Sequence, residues 1–244
     1  VRVRGAGRET THQARLVIAA DGRRSAIAAS QQLSAPARRP RRWAIGAYFA
    51  DVEGTSTVGE MHVRSGHYIG IAPVPGGLTN ACLVVPHEPG DAPLAHPDAV
   101  LRDRLMADAE LAPRFVRARV ATRAVMLGPM AVDARAAGQP GLLLAGDAAG
   151  FIDPMTGDGL RLALYGAELA ADVVREVVEG RTPIAGAHLV LEDRRRHAFR
   201  HKWRFNRSLR SLVASPRSVT AAAWAAAVWP SAFASMIRYA GDAA

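Results

Sequence analysis

The fold is decided by residues 141–150, GLLLAGDAAG, in which an apolar run meets a small-residue turn that carries one acid. The uninterrupted apolar run Leu142–Ala145 is typical of a short strand that is buried on both faces of a sheet. Gly146 and Asp147 follow at once, so a carboxylate stands at the carboxyl end of that strand. Ligands bind at this end in open α/β sheets. The stretch therefore predicts a strand-end ligand site, with an Asp that merely caps a turn as the alternative.

A long helix is predicted downstream of this turn, over residues 159–178. The loop before it ends in Gly157-Asp158-Gly159, where two glycines flank an acid. Glycine allows the backbone to approach a flat ligand, and a helix N-terminus offers free N–H groups and the positive end of its dipole. This combination suits a flavin, whose reduced form carries negative charge on its pyrimidine side.

A second strand that ends in an acid lies near the start of the chain. Residues 16–20, LVIAA, run directly into Asp21-Gly22-Arg23-Arg24-Ser25. A carboxylate at such a position should accept hydrogen bonds from ligand hydroxyls, because it would repel a bare phosphate. Capping of the short helix predicted at 25–32 is the alternative role for these side chains.

The segment between the two motifs has the pattern of antiparallel hairpins. Strands are predicted at 43–52, 57–63, 68–74, 78–85 and 120–127, with a helix at 97–109. Residues 38–42, RRPRR, are expected to form a solvated linker. Several strand residues are expected either to line an apolar substrate channel or, more simply, to form the core of the sheet: Trp43, Tyr48, Phe49, Tyr68, Ile69 and Ile71, with Gly46 and Gly70.

Taken together, the two motifs resemble those of the flavoprotein hydroxylase and geranylgeranyl reductase superfamily. In that family one strand ends in Ala-Asp-Gly-x-x-Ser, and a later one ends in Gly-Asp-Ala-Ala followed by P-x-x-G-x-G. Residues 20–25 and 146–159 match both motifs in order, with a β-rich segment between them. Over about residues 14–178, the resemblance implies an α/β fold with α+β character.

The domain organisation expected from this resemblance has four parts. A partial FAD-binding Rossmann-type domain is formed by 1–42 and 124–180, and an antiparallel substrate-binding sheet, 43–123, is inserted between them. The C-terminal helical region is 181–244.

The resemblance also implies which residues contact FAD. Asp147 bonds the ribityl chain, and Asp21 and Gly22 lie near the pyrophosphate. The implied cofactor-binding set is Asp21, Gly22, Ser25, Gly146, Asp147, Ala148, Pro154, Gly157, Gly159 and Leu160, the last four of which flank the isoalloxazine. No catalytic acid or base is identified, and the spacing of Cys and His residues indicates no metal site.

The implied activity is that of an FAD-dependent oxidoreductase on an apolar small molecule. Gly150 and Asp158 stand where hydroxylases of the family tend to have His and Gln, and the surrounding run is closer to the isoprenoid-reductase branch. We therefore expect reduction of isoprenoid alkenes by hydride transfer from reduced flavin, with NAD(P)H or another electron donor. The alternatives are an aromatic or polyketide monooxygenase, more remotely a halogenase, and a non-catalytic module on membrane or nucleic acid with a decayed flavin site.

The start of the chain lacks one element of the family. Members begin with a strand-turn-helix that carries G-x-G-x-x-G and holds the ADP half of FAD, whereas Gly5-Ala6-Gly7 supplies only two of the glycines. Together with the initial Val1, this predicts an N-terminally truncated member. Alone, such a fragment is expected to be inactive and to bind FAD weakly.

The net charge of +9 is concentrated near the C-terminus. Residues 194–210 hold eight of the 31 Arg and Lys residues and no acid, which leaves 23 basic against 22 acidic groups elsewhere. So local an excess argues against nucleic acid as a partner. The spacing of Leu191, Ala198, Phe205 and Leu212 predicts an amphipathic helix with a solvated basic face.

The C-terminal helices are expected either to pack on the flavoprotein or to bind an anionic membrane surface. Residues 219–237 form an uncharged stretch of 19 residues, but Pro230 and many alanines disfavour a true span. The single cysteine, Cys82, can form no internal disulfide. A reducing, cytoplasmic location is therefore expected, with peripheral membrane binding as an addition.

Overall fold

The computed structural model describes residues 1–5, 7–36, 42–86, 95–130, 132–150, 155, 157–213 and 215–240. Contacts divide the chain into two units, Val1–Ala37 with Ala131–Asn206, and Arg38–Met130 with Arg207–Ala244. Helices and antiparallel sheets accompany a parallel pair of strands, which confirms the predicted α/β fold class with α+β character.

The first unit is built on two parallel neighbouring strands, β3 (Val17–Ala19) and β13 (Leu142–Leu144). A short strand, β12 (Gly138–Gln139), pairs with the other edge of β13 in the antiparallel sense. All three residues of β13 are buried, which explains why its sequence is wholly apolar. Four further short strands form two antiparallel pairs: β1 (Arg2–Gly5) with β2 (Arg8–Thr11), and β4 (Ser34–Pro36) with β11 (Val132–Ala134).

Three helices complete the first unit: α1 (Ala26–Ser30), α4 (Gly159–Val178) and the beginning of α5 (Ala187–Val213). Helix α4 has the predicted bounds. Its residues Ala170, Val173 and Val177 share one core cluster with Leu143 of β13 and Leu191 of α5. Helix α4 therefore packs on the strand that precedes it, with α5 against the same core.

The second unit contains a six-stranded antiparallel sheet in the order β10-β5-β8-β7-β6, with β9 paired to β5. The strands are β5 (Arg42–Ala50), β6 (Glu60–Arg64), β7 (His67–Val74), β8 (Leu78–Pro86), β9 (Arg119–Val120) and β10 (Val125–Met130). The predicted strand at 120–127 is thus divided, because only Val120 and Val125–Leu127 pair with β5.

One face of this sheet packs on two helices, α2 (Pro97–Ala107) and α3 (Ala112–Phe115). Phe49, Ile69 and Ile71 lie in that core, and the ring of Phe49 meets that of Phe115 edge-on at 5.2 Å. These three residues are therefore sheet core rather than channel lining. Because side chains alternate along a strand, Gly46, Tyr48, Tyr68 and Gly70 lie on the opposite face.

Two helices end the chain, α6 (Pro216–Val228) and α7 (Pro230–Ala240). Within the described residues, no single helix has the length and hydropathy needed to cross a membrane. By length and composition alone, the pair Arg217–Val228 and Pro230–Tyr239 would qualify together, but the two are bent by 116°.

The two contact units meet at residues 37/38, 130/131 and 206/207, and the domain bounds expected at 42/43, 123/124 and 180/181 stay a prediction. The sheet unit extends to Met130 because β10 pairs with β5, and the first unit extends to Asn206 because α5 joins its core. Arg42, expected in a solvated linker, is instead the first residue of β5 and only 2% exposed. It is buried because it extends the ladder opposite Pro86 and Met130. Residues 37–41 of that linker lie outside the described residues.

Candidate cofactor site

The two acid-bearing turns follow neighbouring strand ends, as their sequences predicted. Strands β3 and β13 are parallel, with Ala19 opposite Leu144, and the N–H of Ala145 donates to the carbonyl of Ala19 at 2.9 Å. Asp21 and Asp147 therefore leave the same edge of the sheet. That edge is where open α/β sheets bind ligands.

The first turn also caps helix α1. The Asp21 carboxylate accepts from the N–H of Ile27 at 3.3 Å, and the buried Ser25 hydroxyl accepts from the N–H of Ala28 at 2.8 Å. Burial alone would raise the pKa of Asp21, but hydrogen bonds from Ser25 and backbone N–H groups outweigh it and lower the pKa. Gly22, at φ +82°, has open space where a side chain would stand, so bare backbone is presented there.

The second turn is a tight 3₁₀ turn over Gly146–Ala149, in which Ala148 is buried. Gly146 has φ +58° and Gly150 has φ +111°, a region that side-chain-bearing residues rarely adopt. The N–H of Gly150 closes the turn by donating to the carbonyl of Asp147 at 3.1 Å. The two glycines thus fix the direction in which Asp147 leaves the strand.

Asp147 is half-buried, and burial raises its pKa, while the positive charge of Arg23 opposes that rise. Arg23 belongs to the Asp21 turn, so the two motifs are coupled electrostatically. Among the described residues, none donates a hydrogen bond to the Asp147 carboxylate. A half-buried carboxylate that receives no hydrogen bond from these residues is suited to accept hydrogen bonds from ligand hydroxyls.

A cavity of about 20 Å³, room for one water molecule, lies beside this turn. The Asp147 turn, the first turns of α4 and one face of α5 contribute its lining: Gly146, Asp147, Gly150, Asp158, Gly159, Leu162, Ala163, Arg195, Phe199, Trp203 and Asn206. The structure therefore brings Gly146, Asp147 and Gly159 of the predicted set together. Gly157 and Leu160 do not line the cavity; both are exposed, Leu160 by 77%. Pro154 lies outside the described residues.

Arg195 of α5 is a site residue that the sequence did not indicate. Its side chain is buried, and Nη2 donates to the carbonyl of Ala149 at 2.9 Å. The guanidinium carbon lies 5.7 Å from the ring centre of Phe199 and 5.9 Å from that of Trp203. Burial lowers its pKa to about 10, so Arg195 remains a cation at neutral pH.

Lys202 and Asn206 extend the same buried face of α5. Lys202 Nζ lies 3.2 Å from Asp158 Oδ2, at the start of α4. Asn206 is 4% exposed, and its Oδ1 has no hydrogen-bond partner among the described residues. A buried acceptor at a cavity wall is suited to receive a hydrogen bond from a water or a ligand.

The predicted orientation of α5 was correct at Leu191, which is buried, but wrong at three other positions. Ala198, placed on the apolar face, is exposed, whereas Arg195 and Lys202, expected in solvent, are buried with Leu191 and Phe199. Hydrophobicity alone predicts that cations lie in solvent. A long Arg or Lys side chain nevertheless buries its apolar stem where a polar partner binds its charged end. The carbonyl of Ala149 and the carboxylate of Asp158 are those partners. The recurrence of residues 191, 195, 199, 202 and 206 at helical spacing is the signal that was available.

Comparison with known proteins identifies the family. The FAD binding domain family matches residues 1–219, which include both acid-bearing turns and the whole of α5. The chain belongs to this family. Its cofactor is FAD, as the two motifs predicted.

A curated relative is Digeranylgeranylglycerophospholipid reductase 2 of Methanopyrus kandleri, 31% identical over 185 residues. The match covers 71% of this chain and 45% of that protein, so the chain spans less than half the length of this relative.

Solved structures share the fold of this FAD-binding chain. The flavin-dependent halogenase CmlS has a TM-score of 0.75 at 20% identity, covering 84% of this chain and 38% of that one. A variant of the brominase Bmp2 has 0.81 at 17%, covering 98% and 60%. The probable monooxygenase pqsL of Pseudomonas aeruginosa has 0.67 at 18%, covering 90% and 62%.

Features of the structure fit FAD at the Asp147 turn. The Asp147 carboxylate has no donor among the described residues, and the buried Oδ1 of Asn206 is an acceptor in need of one. Gly22 presents backbone with open space above it. Hydroxyls of a ribityl chain and N–H groups are the donors that such oxygens accept.

Proposed function

We propose that this family member is part of an FAD-dependent oxidoreductase that reduces carbon–carbon double bonds of an isoprenoid substrate. The relative named a digeranylgeranylglycerophospholipid reductase carries the proposal, because it is 31% identical over 71% of the chain. Bound FAD would supply the hydride, and NAD(P)H or another donor would supply the electrons. This chain contributes the Asp147 turn, which holds the cofactor, and a sheet that offers an apolar surface.

The sheet face opposite the α2–α3 core supports an apolar substrate. A row of small residues, Gly46, Cys82 and Gly70, crosses β5, β8 and β7 in register on that face. Burial raises the pKa of the Cys82 thiol, which therefore remains neutral. The small uncharged residues of this row form a trough that ends at Met61, whose Cε would lie 3.6 Å from a Cβ at Gly70, and such a surface suits contact with a hydrocarbon chain.

Exposure differs between the two sides of this trough. Tyr48, in the neighbouring row on one side, is 41% exposed, whereas Ala44, Val84 and Tyr68, which form the neighbouring row on the other side, are buried. An isoprenoid chain laid along the row would thus lie between an open side at Tyr48 and an enclosed side. This arrangement favours an elongated apolar substrate over a compact polar one.

Two positions in the cofactor turns support a reductase over the monooxygenase alternative. Gly150 has φ +111°, a conformation that residues with side chains rarely adopt, so the histidine that hydroxylases tend to have would be strained there. Asp158, in place of the typical glutamine, is buried against Lys202. Oxygen transfer to an aromatic ring remains the competing function, and the two are separated by their need for oxygen.

The test is an anaerobic turnover of the full-length protein loaded with FAD. Chemically reduced enzyme should add two hydrogens to each double bond reduced in a geranylgeranyl lipid, which mass spectrometry detects as a gain of about 2 Da. Product that forms only in air and gains one oxygen atom would establish the monooxygenase instead. Incorporation of chloride or bromide under air would establish a halogenase.

We further propose that the protein is cytoplasmic and binds peripherally to anionic membranes. No acid occurs between Arg194 and Gly241, a stretch that contains ten Arg and Lys residues. Trp224 and Trp229 are each more than 60% exposed, and their rings meet at 6.4 Å. Exposed tryptophans in a basic, acid-free segment are typical of helices that lie in a lipid headgroup region. A lipid substrate would then be reached from the membrane surface.

A further inference from the structure

Arg195 carries a buried positive charge that no carboxylate neutralises among the described residues. Its hydrogen bond goes to a neutral group, the carbonyl of Ala149, and its neighbours on α5 are the rings of Phe199 and Trp203. Burying a cation in this way costs stability, because desolvation is not repaid by an opposite charge. A cation that is buried at this cost in stability is suited to an anionic partner that is not part of the protein itself.

The other charges around the cavity are already balanced. Lys202 stands against Asp158, at 3.2 Å, and the positive charge of Arg23 acts on Asp147. Of the charged residues that line the cavity, Asp147, Asp158 and Arg195, Arg195 therefore stands without an opposite charge beside it among the described residues, which leaves its positive charge uncompensated. The positive end of the α4 dipole adds to it, because Gly159 at the first turn of that helix lines the same cavity.

We propose that Arg195 is a positioning residue for the flavin, with two effects. Through the carbonyl of Ala149 it holds the Gly146–Gly150 turn, and with it the direction of Asp147. Its charge favours the reduced, anionic flavin over the oxidised, neutral flavin. The inference rests on the placement of FAD at the Asp147 turn, but not on the proposed substrate or reaction.

Two physical features make Arg195 suited to this role. Its planar guanidinium lies near two aromatic rings and keeps one hydrogen bond, so little side-chain freedom is left to lose when the cofactor binds. Its surroundings exclude most water, so its charge is screened less than a surface charge and acts over several ångströms. The exposed neighbour Arg196 pairs with Glu192 at 3.0 Å and has neither feature.

The experiment uses the full-length protein loaded with FAD, without substrate. Arg195→Met removes the charge, Arg195→Lys retains it, and Arg196→Met is the matched surface control. We expect Arg195→Met to weaken FAD binding and to lower the affinity ratio of reduced to oxidised flavin about tenfold. For a two-electron couple this is a fall in midpoint potential of about 30 mV. Arg195→Lys should restore most of the potential, and Arg196→Met should leave both readouts unchanged.

A folded Arg195→Met protein with the wild-type potential would overturn the proposal, as would an equal shift in Arg196→Met. If Arg195→Met does not fold, Arg195→Gln carries the same test, because it keeps a donor for the Ala149 carbonyl without the charge. Asp147→Ala is measured alongside: wild-type FAD affinity in that variant would refute the placement of the cofactor itself. Failure of alkene reduction would leave the potential shift intact, so the two proposals fail separately.

Discussion

Lys202 Nζ lies 3.2 Å from Asp158 Oδ2, and each side chain is only 5% exposed, so a buried ion pair joins α5 to the residue at which α4 begins. The side chain of Asp158 makes no hydrogen bond to the free N–H groups of α4, although its position is that of a helix cap. Asp158, which lies next to the predicted flavin-binding glycines, therefore stabilises the contact between α4 and α5.

Removing only one partner of this ion pair should lower the stability of the protein. Lys202→Met leaves the buried carboxylate with only the longer contact to the half-exposed Arg161, at 3.9 Å, and we expect a loss of about 3 kcal/mol in the free energy of unfolding. The double variant Asp158→Leu with Lys202→Met removes both charges and should recover much of that loss. Urea denaturation of the four proteins of this cycle measures the effect. A Lys202→Met protein as stable as wild type would contradict the burial of the pair.

Asp147 is expected to trade stability for cofactor affinity. Burial raises its pKa, so the folded protein binds the proton more tightly than the unfolded chain, and stability falls as pH rises through that window. At pH 7 Asp147→Asn should therefore stabilise the FAD-free protein. The same change should weaken FAD binding in the full-length protein by about 1.5–3 kcal/mol, the scale of a charge-assisted hydrogen bond.

Thermal unfolding of the FAD-free protein and fluorescence titration with FAD test the two halves of this prediction. Asp172→Asn on the outer surface of α4, where Asp172 pairs with Arg175, is the control and should change neither. Unaltered FAD affinity in Asp147→Asn would remove this carboxylate from the site.

The sheet unit should lose stability in acid through Glu60. Arg114 donates to both carboxylate oxygens of Glu60, at 2.7 and 2.8 Å, and His62 lies 3.0 Å away. The hydrogen bond from Arg114 is the main cause that lowers the pKa of Glu60 to about 2. Its contribution is therefore complete above the ordinary pKa of 4.5 and is lost as pH falls from there towards 2.

We expect this loss to be on the order of 2 kcal/mol, allowing for partial solvent screening. Glu60→Gln should remove it, so that the variant is less stable than wild type at pH 6 and nearly equal to it at pH 2.5. Urea midpoints across this range provide the measurement. Glu53→Gln, at an exposed pair with Arg117, should follow the wild-type curve. A Glu60→Gln curve parallel to wild type would show that the ion pair contributes little.

Membrane binding should depend on both charge and tryptophan. The protein should cosediment with vesicles that contain anionic lipid but not with neutral ones, and added salt should release it as the Debye length shortens. Trp224→Ser with Trp229→Ser should weaken binding severalfold, while Leu189→Ser, at an exposed leucine of the first unit, should not. Equal binding to both kinds of vesicle, or none at low salt, would assign α6 and α7 to ordinary packing.

Local pattern was sufficient to predict the strand-end turns and helix α4. The apolar run of β13 can only be a doubly covered strand, and the glycines of the Asp147 turn have the positive φ values that such a turn requires. The hairpins between the motifs were likewise predicted from alternation and turn residues, with ends shifted by at most three residues for β5 to β8. These elements depend on neighbours in sequence.

The structural features that the sequence did not predict depend on contacts between residues that are distant in sequence. Arg195 lies in the interior because the carbonyl of Ala149, 46 residues earlier, accepts its hydrogen bond. Gly128 must be a glycine because a Cβ there would stand 2.2 Å from the ring of Trp43. The separation of Phe49 from Tyr48 into core and open face required knowing that α2 and α3 cover one side of the sheet. No local periodicity contains this information.

The parallel pairing of β3 with β13 has a consequence for how the chain folds. Val17 pairs with Leu142, 125 positions further along the chain, and all six strands of the larger sheet lie between these two neighbouring strands in sequence. Closing so long a loop is entropically unfavourable until the intervening sheet has formed and drawn its ends together. During synthesis, β3 can therefore pair with β13 only after residues 142–144 have been made. The two acid-bearing turns therefore come together only after the sequence of the whole larger sheet has been synthesised.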